Sequence, residues 1–179
     1  MAERVWLGLG SNEGDRLVFL HHAVRAIVEH PDLELLACSP VYETDFVGPG
    51  SQAAYLNACV LVSCRLEPKQ LLATVKEWEA HCGRRPDGHM KPRPLDVDIL
   101  LFGSRRVVEE GVEIPHPRLH ERLFVLAPLA DISPEEEIPD LGETAAHLCA
   151  KVRQNSGQKI RPWTQGLAAP GDRDASMED

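Results

Sequence analysis

The chain lacks a surplus of basic charge, any paired-cysteine motif and any long apolar run. Among its 179 residues Lys and Arg number 19 against 28 Asp and Glu, a formal net charge of -9. That balance excludes a general nucleic-acid-binding surface. The five cysteines (Cys38, Cys59, Cys64, Cys82 and Cys149) are odd in number and contain no C-x-x-C. They read as reduced, mostly buried small hydrophobes, not a disulfide frame or a zinc site. No stretch is long enough to cross a bilayer, and Met1 to Arg4 lead straight toward a strand without a secretory pattern. The expectation is a soluble, cytoplasmic protein with no membrane partner. A P-loop is absent as well, since no G-x-x-x-x-G-K occurs.

What is present is ordinary globular composition, 43% hydrophobic and 26% charged, enough for one domain with a sizeable core. We place that domain at residues 1–165, followed by a mobile acidic tail over 166–179. Val5 to Leu9 reads as a strand and Gly10 to Asp15 as a turn. Leu17, Leu20, Val24, Ile27 and Val28 fall at helical spacing before Pro31. Leu33 to Thr44 is extended around Pro40, and Asp45 to Ala54 is a loop. Tyr55 to Cys64 is a long strand, and a helix runs from Pro68 to about Cys82. Arg106 to Glu109 is expected as a short partner of the strand before it. Ile114 to Arg118 is a turn, Leu123 to Leu129 a short apolar element, and Ala145 to Val152 a weak helix. Strands alternate irregularly with two long helices, which favours an α+β fold over a parallel doubly wound sheet.

The most informative run is Arg93 to Phe102, R-P-L-D-V-D-I-L-L-F. Leu95, Val97, Ile99 and Leu101 alternate as in a buried strand, which puts Asp96 and Asp98 on one face, roughly 6–7 Å apart at Cα. Two carboxylates there repel each other and resist desolvation. A hard divalent cation cancels both penalties and leaves room for substrate phosphates. The alternative is a half-exposed strand with a solvated polar face. Arg93 beside an otherwise apolar strand favours the metal.

Smaller constellations surround this pair. Gly10-Ser11-Asn12 could offer backbone N–H groups to an anion, or be a plain turn with a local cap. Tyr55 and Asn57 alternate to one face. A ring beside an amide suits a planar heterocycle, and equally a core-edge Tyr with a structural Asn. Pro115-His116-Pro117-Arg118, with Arg122 and Phe124, is a second polar cluster, suited to phosphate or to a plain surface turn. His81, His89, His120 and His147 read as surface residues. Glu77 and Glu79 face different sides of their helix. Arg84, Arg85, Lys91, Arg93, Arg105, Arg106, Arg118 and Arg122 concentrate positive charge within an acidic chain.

In order along the chain stand G-S-N (Gly10 to Asn12), S-P-V-Y-E-T (Ser39 to Thr44), G-P (Gly48, Pro49) and Y-L-N (Tyr55 to Asn57). W-E-x-x-x-G-R (Trp78 to Arg84), K-P-R-P-L-D-V-D-I-L-L-F-G (Lys91 to Gly103) and I-P-H-P-R-L-H-E-R-x-F-V-L-x-P-L (Ile114 to Leu129) follow. This series resembles the 6-hydroxymethyl-7,8-dihydropterin pyrophosphokinases of folate biosynthesis. The resemblance implies a ferredoxin-like antiparallel sheet packed with helices. It also implies transfer of a pyrophosphoryl group from ATP to the pterin hydroxymethyl, with AMP released. It puts two Mg²⁺ ions on Asp96 and Asp98, and the pterin between Tyr55 and Phe124. Asn57 and the backbone from Thr44 to Val47 would read the pterin edge, with Asn12 near the hydroxymethyl. ATP would be held by Glu79, Arg84, Arg93, Ile99, His116 and Arg122, with Arg84 and Arg93 also catalytic. Met90, Pro86 and Pro117 depart from the family's usual residues. Arg84 to Pro92 is expected to be a lid that orders over both substrates. The rivals are a nucleotidyltransferase, which attacks a different phosphorus, and a non-catalytic binding module.

Overall fold

The computed structural model describes residues 1–46, 50–84 and 91–167. Residues 85–90 of the lid expected over Arg84 to Pro92, Val47, and the expected tail beyond Leu167 lie outside the described residues.

Period-two alternation builds the sheet. β1 (Glu3–Ser11) lies between β4 (Tyr55–Cys64) and β5 (Asp96–Phe102), antiparallel to both. β2 (Leu33–Cys38) and β3 (Tyr42–Thr44) are separated at Pro40, and both pair with β4. Pro cannot donate to a ladder, which accounts for the break. β10 (Ile160–Pro162) adds an edge strand to β3. α1 (Arg16–Glu29) links β1 to β2, and α2 (Pro68–His81) links β4 to β5. Strand, helix, two strands' worth of chain, helix and strand, in the spatial order β2/β3, β4, β1, β5, is the ferredoxin-like arrangement.

Each face of the sheet has its own core. On one, Val5, Leu7 and Leu9 pack with Leu20 and Ile27 of α1 and Leu71 and Val75 of α2. On the other, Trp6, Cys59, Leu61 and Leu101 meet α3 (Leu123–Ile132) and α4 (Ala145–Asn155). Trp6 Nε1–H donates to Ser133 Oγ at 2.8 Å, so its buried polar atom is satisfied.

Several expectations need correcting. Val107–Glu109 (β6) does not pair with the D-x-D strand. It forms a separate hairpin with β7 (Val112–Ile114), closed by Gly111 at φ 79°. Gly10 and Ser11 belong to β1, not to a turn, because both strands flanking β1 reach far enough to pair with Gly10. Asp15 caps α1 by accepting from Val18 N–H at 3.3 Å, leaving Ser11 and Asn12 other roles. The apolar element at Leu123 is a helix that continues to Ile132, and the weak helix runs on to Asn155 behind a Thr144 cap. A small hairpin of β8 (Glu137–Ile138) and β9 (Glu143–Thr144) precedes it. No helix among the described residues is long and apolar enough to cross a membrane.

Candidate active site

α3 covers only part of its face of the sheet, and the uncovered part floors a cleft of about 430 Å³. Three strands supply that floor. Tyr55 and Asn57 come from β4, Gly8 and Gly10 from β1, and Asp96 and Asp98 from β5. Register aligns them: Gly10 pairs with both Asn57 and Asp96, and Gly8 with Asp98. The central strand thus contributes no side chain where its neighbours contribute chemistry. A Cβ on Gly8 would come within 3.2 Å of Leu100 Cδ2. Leu100 is the extra residue of a bulge, since Trp6 pairs with Leu101 and Leu7 with Ile99. Leu100 lies in phase with the two aspartates and lines the cleft with them, while the bulge brings Leu101, expected on the opposite face, round to the side of Trp6.

The cleft has an aromatic end. Tyr55 and Phe124 both line it, with Thr44, Asp45 and Phe46 along one side. Asn57, 5% exposed, donates from Nδ2 to Thr44 Oγ1 at 2.8 Å, which ties β4 to β3 and fixes the amide.

The other end is charged. Arg84 and Arg93 both donate to Asp96 Oδ1, at 2.7 and 2.9 Å. Arg84 also pairs with Glu79, a carboxylate that is 1% exposed. Glu79 Oε1 accepts from the Val97 N–H at 2.8 Å, and Lys76 Nζ lies 3.0 Å from each of its oxygens. Burial pushes the Glu79 carboxyl up, while these donors act in the opposite direction. Asp98 makes no such pair with an arginine or lysine among the described residues. Its side chain is 35% exposed, yet protein atoms enclose the carboxyl on most sides. Burial first, and the neighbouring Asp96 charge second, raise it to about 6 from 3.8. His116 Nε2 stands 3.9 Å from Asp98 Oδ2. The His116 ring is held below its ordinary range by burial and then by Arg122. Its Nδ1 accepts from Arg118 N–H at 3.2 Å, which leaves the neutral ring's proton on Nε2, facing Asp98. Arg122 is lowered too, by burial and then by Arg118. It lies 5.6 Å over the Phe124 ring and makes no ion pair among the described residues.

Of the residues singled out from sequence, Thr44, Tyr55, Asn57, Arg93, Asp96, Asp98, Arg122 and Phe124 meet in this one cleft. Arg84 and His116 adjoin it through the two aspartates. Asn12 and Glu79 are brackets behind it. Asn12, 3% exposed, donates to Gln52 Oε1 at 3.1 Å and accepts from Arg93 N–H at 2.8 Å. Ile99 is 7% exposed, and its side chain lies in the core on the opposite face from Asp98. The run of basic residues divides. Arg105 pairs with Glu3 and Glu67, and Arg106 with Asp140, away from the cleft. Gly10, Phe46 and Arg118, read from sequence as parts of a possible anion turn, of the Thr44 to Val47 backbone and of the second polar cluster, line the cleft too, and so does Gly8, which had no assigned role. For the glycines the signal was available, as G-L-G alternates in step with D-V-D.

A family model for 7,8-dihydro-6-hydroxymethylpterin-pyrophosphokinase (HPPK) matches residues 6–134. The chain belongs to this family. A Bacillus subtilis 2-amino-4-hydroxy-6-hydroxymethyldihydropteridine pyrophosphokinase is 42% identical over 132 residues, covering 74% of this chain and 79% of that one. The enzyme of the same name from Methylorubrum extorquens is 36% identical over 157 residues, covering 88% and 98%. Among solved structures, wild-type Plasmodium falciparum HPPK-DHPS crystallised with SDX-DHP superposes at TM-score 0.69 with 15% identity. That superposition covers 87% of this chain and 46% of the longer parasite chain, and at that identity it speaks for the HPPK fold alone.

Proposed function

We propose a division of labour within the cleft for the HPPK reaction. As a family member the chain transfers pyrophosphate from ATP to the hydroxymethyl group of 6-hydroxymethyl-7,8-dihydropterin, in folate biosynthesis. In our reading the pterin lies at the aromatic end between Tyr55 and Phe124. Asn57, Thr44 and the backbone that follows would meet its polar edge. The triphosphate lies at the charged end, against Arg84, Arg93, His116 and Arg122. Asn12 and Glu79 act behind the cleft, Asn12 by fixing Arg93 and Glu79 by fixing Arg84 and the start of β5. One catalytic domain over residues 1–165 accommodates all of these parts.

The residues present fit Mg²⁺. Among the described residues no three His, Cys, Asp or Glu side chains converge as a cage. Asp96 and Asp98 are two oxygen donors on one face, and among the described residues no lysine or arginine forms an ion pair with Asp98. A hard cation with two protein carboxylates and phosphate oxygens suits that set. When bound, two such ions would supply charge stabilisation to the phosphoryl oxygens and orient the attack.

The side chains contribute as follows. The pterin hydroxymethyl oxygen attacks the β-phosphorus and forms a new O–P bond. The bond from that phosphorus to the oxygen bridging to the α-phosphorus breaks, and its electron pair leaves with AMP. The hydroxyl proton is lost to solvent. Arg84 and Arg93, which share Asp96 Oδ1, are the cations an incoming triphosphate would draw away. That exchange frees the carboxylate and aims two guanidiniums at the growing charge. His116 donates from Nε2 to a phosphate oxygen.

The observation that carries this reading is that two aromatic rings and a pair of carboxylates line one cleft over one three-strand floor. Incubation with γ-labelled ATP and the hydroxymethyl dihydropterin tests it. Label on the pterin product, with stoichiometric AMP, is expected. Label in free pyrophosphate would mean nucleotidyl transfer, and binding without AMP formation a non-catalytic module.

A further inference from the structure

The family match ends at residue 134, yet the chain beyond it returns to the elements that wall the cleft. α3 begins poorly supported. Its N-cap, Arg122, makes no side-chain capping bond, and Pro128 within the helix has no N–H to offer the Phe124 carbonyl. Gln158 supplies what is missing. Its Oε1 accepts from Leu123 N–H at 2.9 Å, and its Nε2 donates to the Glu121 carbonyl at 2.8 Å. The two bonds bracket Arg122 and fix the backbone from which Arg122 and Phe124 enter the cleft.

The same segment grips the facing wall. Gly157 at φ 66° turns the chain out of α4. β10 then pairs Ile160 with Thr44, and Trp163 N–H donates to the Val41 carbonyl at 2.8 Å. Behind the cleft a second cavity of about 280 Å³ borders Thr44, Phe124, Gln158 and Ile160. Phe124 packs against the core of this face on one side and borders this space on another, so the hydrogen bonds on the backbone just before it also bear on its place.

We infer that Gln158 is a positioning residue for the pterin, holding Phe124 at its distance from the floor by capping α3 from outside the helix. This rests on the reading that Phe124 contacts the pterin. The segment acts on the aromatic end and leaves the Asp96–Arg84–Arg93 end alone, because no bond from it reaches those residues among the described ones.

The test is calorimetric titration of the full chain and its variants with the hydroxymethyl dihydropterin and, separately, with a non-hydrolysable ATP analogue. Gln158→Ala should weaken pterin binding about fivefold, the factor to which the typical loss of a helix cap corresponds. ATP-analogue binding should stay within about twofold. Gln158→Glu keeps the acceptor for Leu123 N–H and should recover part of the loss. Gln158→Met keeps the bulk without either bond, and replaces Gln158→Ala should that variant not fold. Adding Phe124→Ala to Gln158→Ala should cost little beyond Phe124→Ala alone. Unchanged pterin affinity in Gln158→Ala, or equal weakening toward both ligands, would overturn the inference while a weakened Phe124→Ala left the pterin site standing. Full pterin affinity in Phe124→Ala would overturn both.

Discussion

Trp6 and Gly10 point to the same side of β1 and meet opposite surroundings. Around Trp6 the sheet is covered: Cys59, Leu61 and Leu101 beside it are buried under Leu126 and Leu129 of α3. Around Gly10 the sheet is bare, and the neighbouring strands present Tyr55, Asn57, Asp96 and Asp98. One set of strands therefore serves as core over part of its length and as the floor of the cleft over the rest. Large apolar residues in the covered half contribute stability by burial. In the open half the missing side chains of Gly8 and Gly10 create the volume, and the rigid covered half fixes where the floor residues stand.

That contrast can be broken from either side. The largest effect on turnover should come from Asp96→Ala or Asp98→Ala, with kcat/KM falling at least about a hundredfold. The melting temperature of the ligand-free variant should stay level or rise, because a repelling carboxylate is gone. Near-normal activity in saturating Mg²⁺ would remove the metal assignment.

Trp6→Ala should reverse the pattern. It leaves a cavity under α3 and strands Ser133, costing about 3–5 kcal/mol in denaturant unfolding. KM for both substrates should be retained below the new melting point. A variant as stable as the parent would mean that the covered half is not the core it looks to be.

A smaller and more selective effect is expected at the aromatic end. Tyr55→Ala should weaken pterin binding by about 0.5–1.5 kcal/mol beyond the lost contact area and leave ATP binding nearly unchanged. Equal weakening of both ligands in titration would make the ring structural.

The smallest effect is a pH dependence. Asp98 holds its proton up to about 6 in the folded chain against an ordinary 3.8. The folded state therefore binds the proton more tightly than the unfolded one. Its contribution is present at low pH and is lost as pH rises through that window. Asp98→Asn, without metal, should flatten the melting temperature between about pH 4 and 6 relative to the parent, the interval between the ordinary and the raised value. An unchanged slope would show that Asp98 is not the group titrating.

Much of this was legible in the sequence. The bounds of β4 fall where alternation places them, and the D-x-D pair shares a face because a strand's period is two. The less legible parts depend on partners distant in sequence. Glu79 read as a helix carboxylate that could orient a loop or a ligand, with no partner visible in the sequence. Only the docking of α2 against β5 turns it inward, onto Val97 N–H and Arg84. Asn12 looked like a turn residue and is a clasp between Gln52 and Arg93. The basic run from Arg84 to Arg122 looked like one cluster, but the hairpin of β6 and β7 carries its middle away from the cleft.

By itself the sequence determined the chemistry available: two carboxylates in phase, an aromatic beside an amide, arginines near both, and glycines in step with them. These follow from residue type and a local period, which neighbours along the chain suffice to set. Tertiary structure alone decided which of those groups share a space. That depended on the order of strands in the sheet, on a bulge at Leu100, on how far α3 reaches across the face, and on a C-terminal segment returning to Leu123 and Thr44. Each is a contact between residues far apart in sequence, so its outcome is fixed by packing of the whole and not by any local pattern.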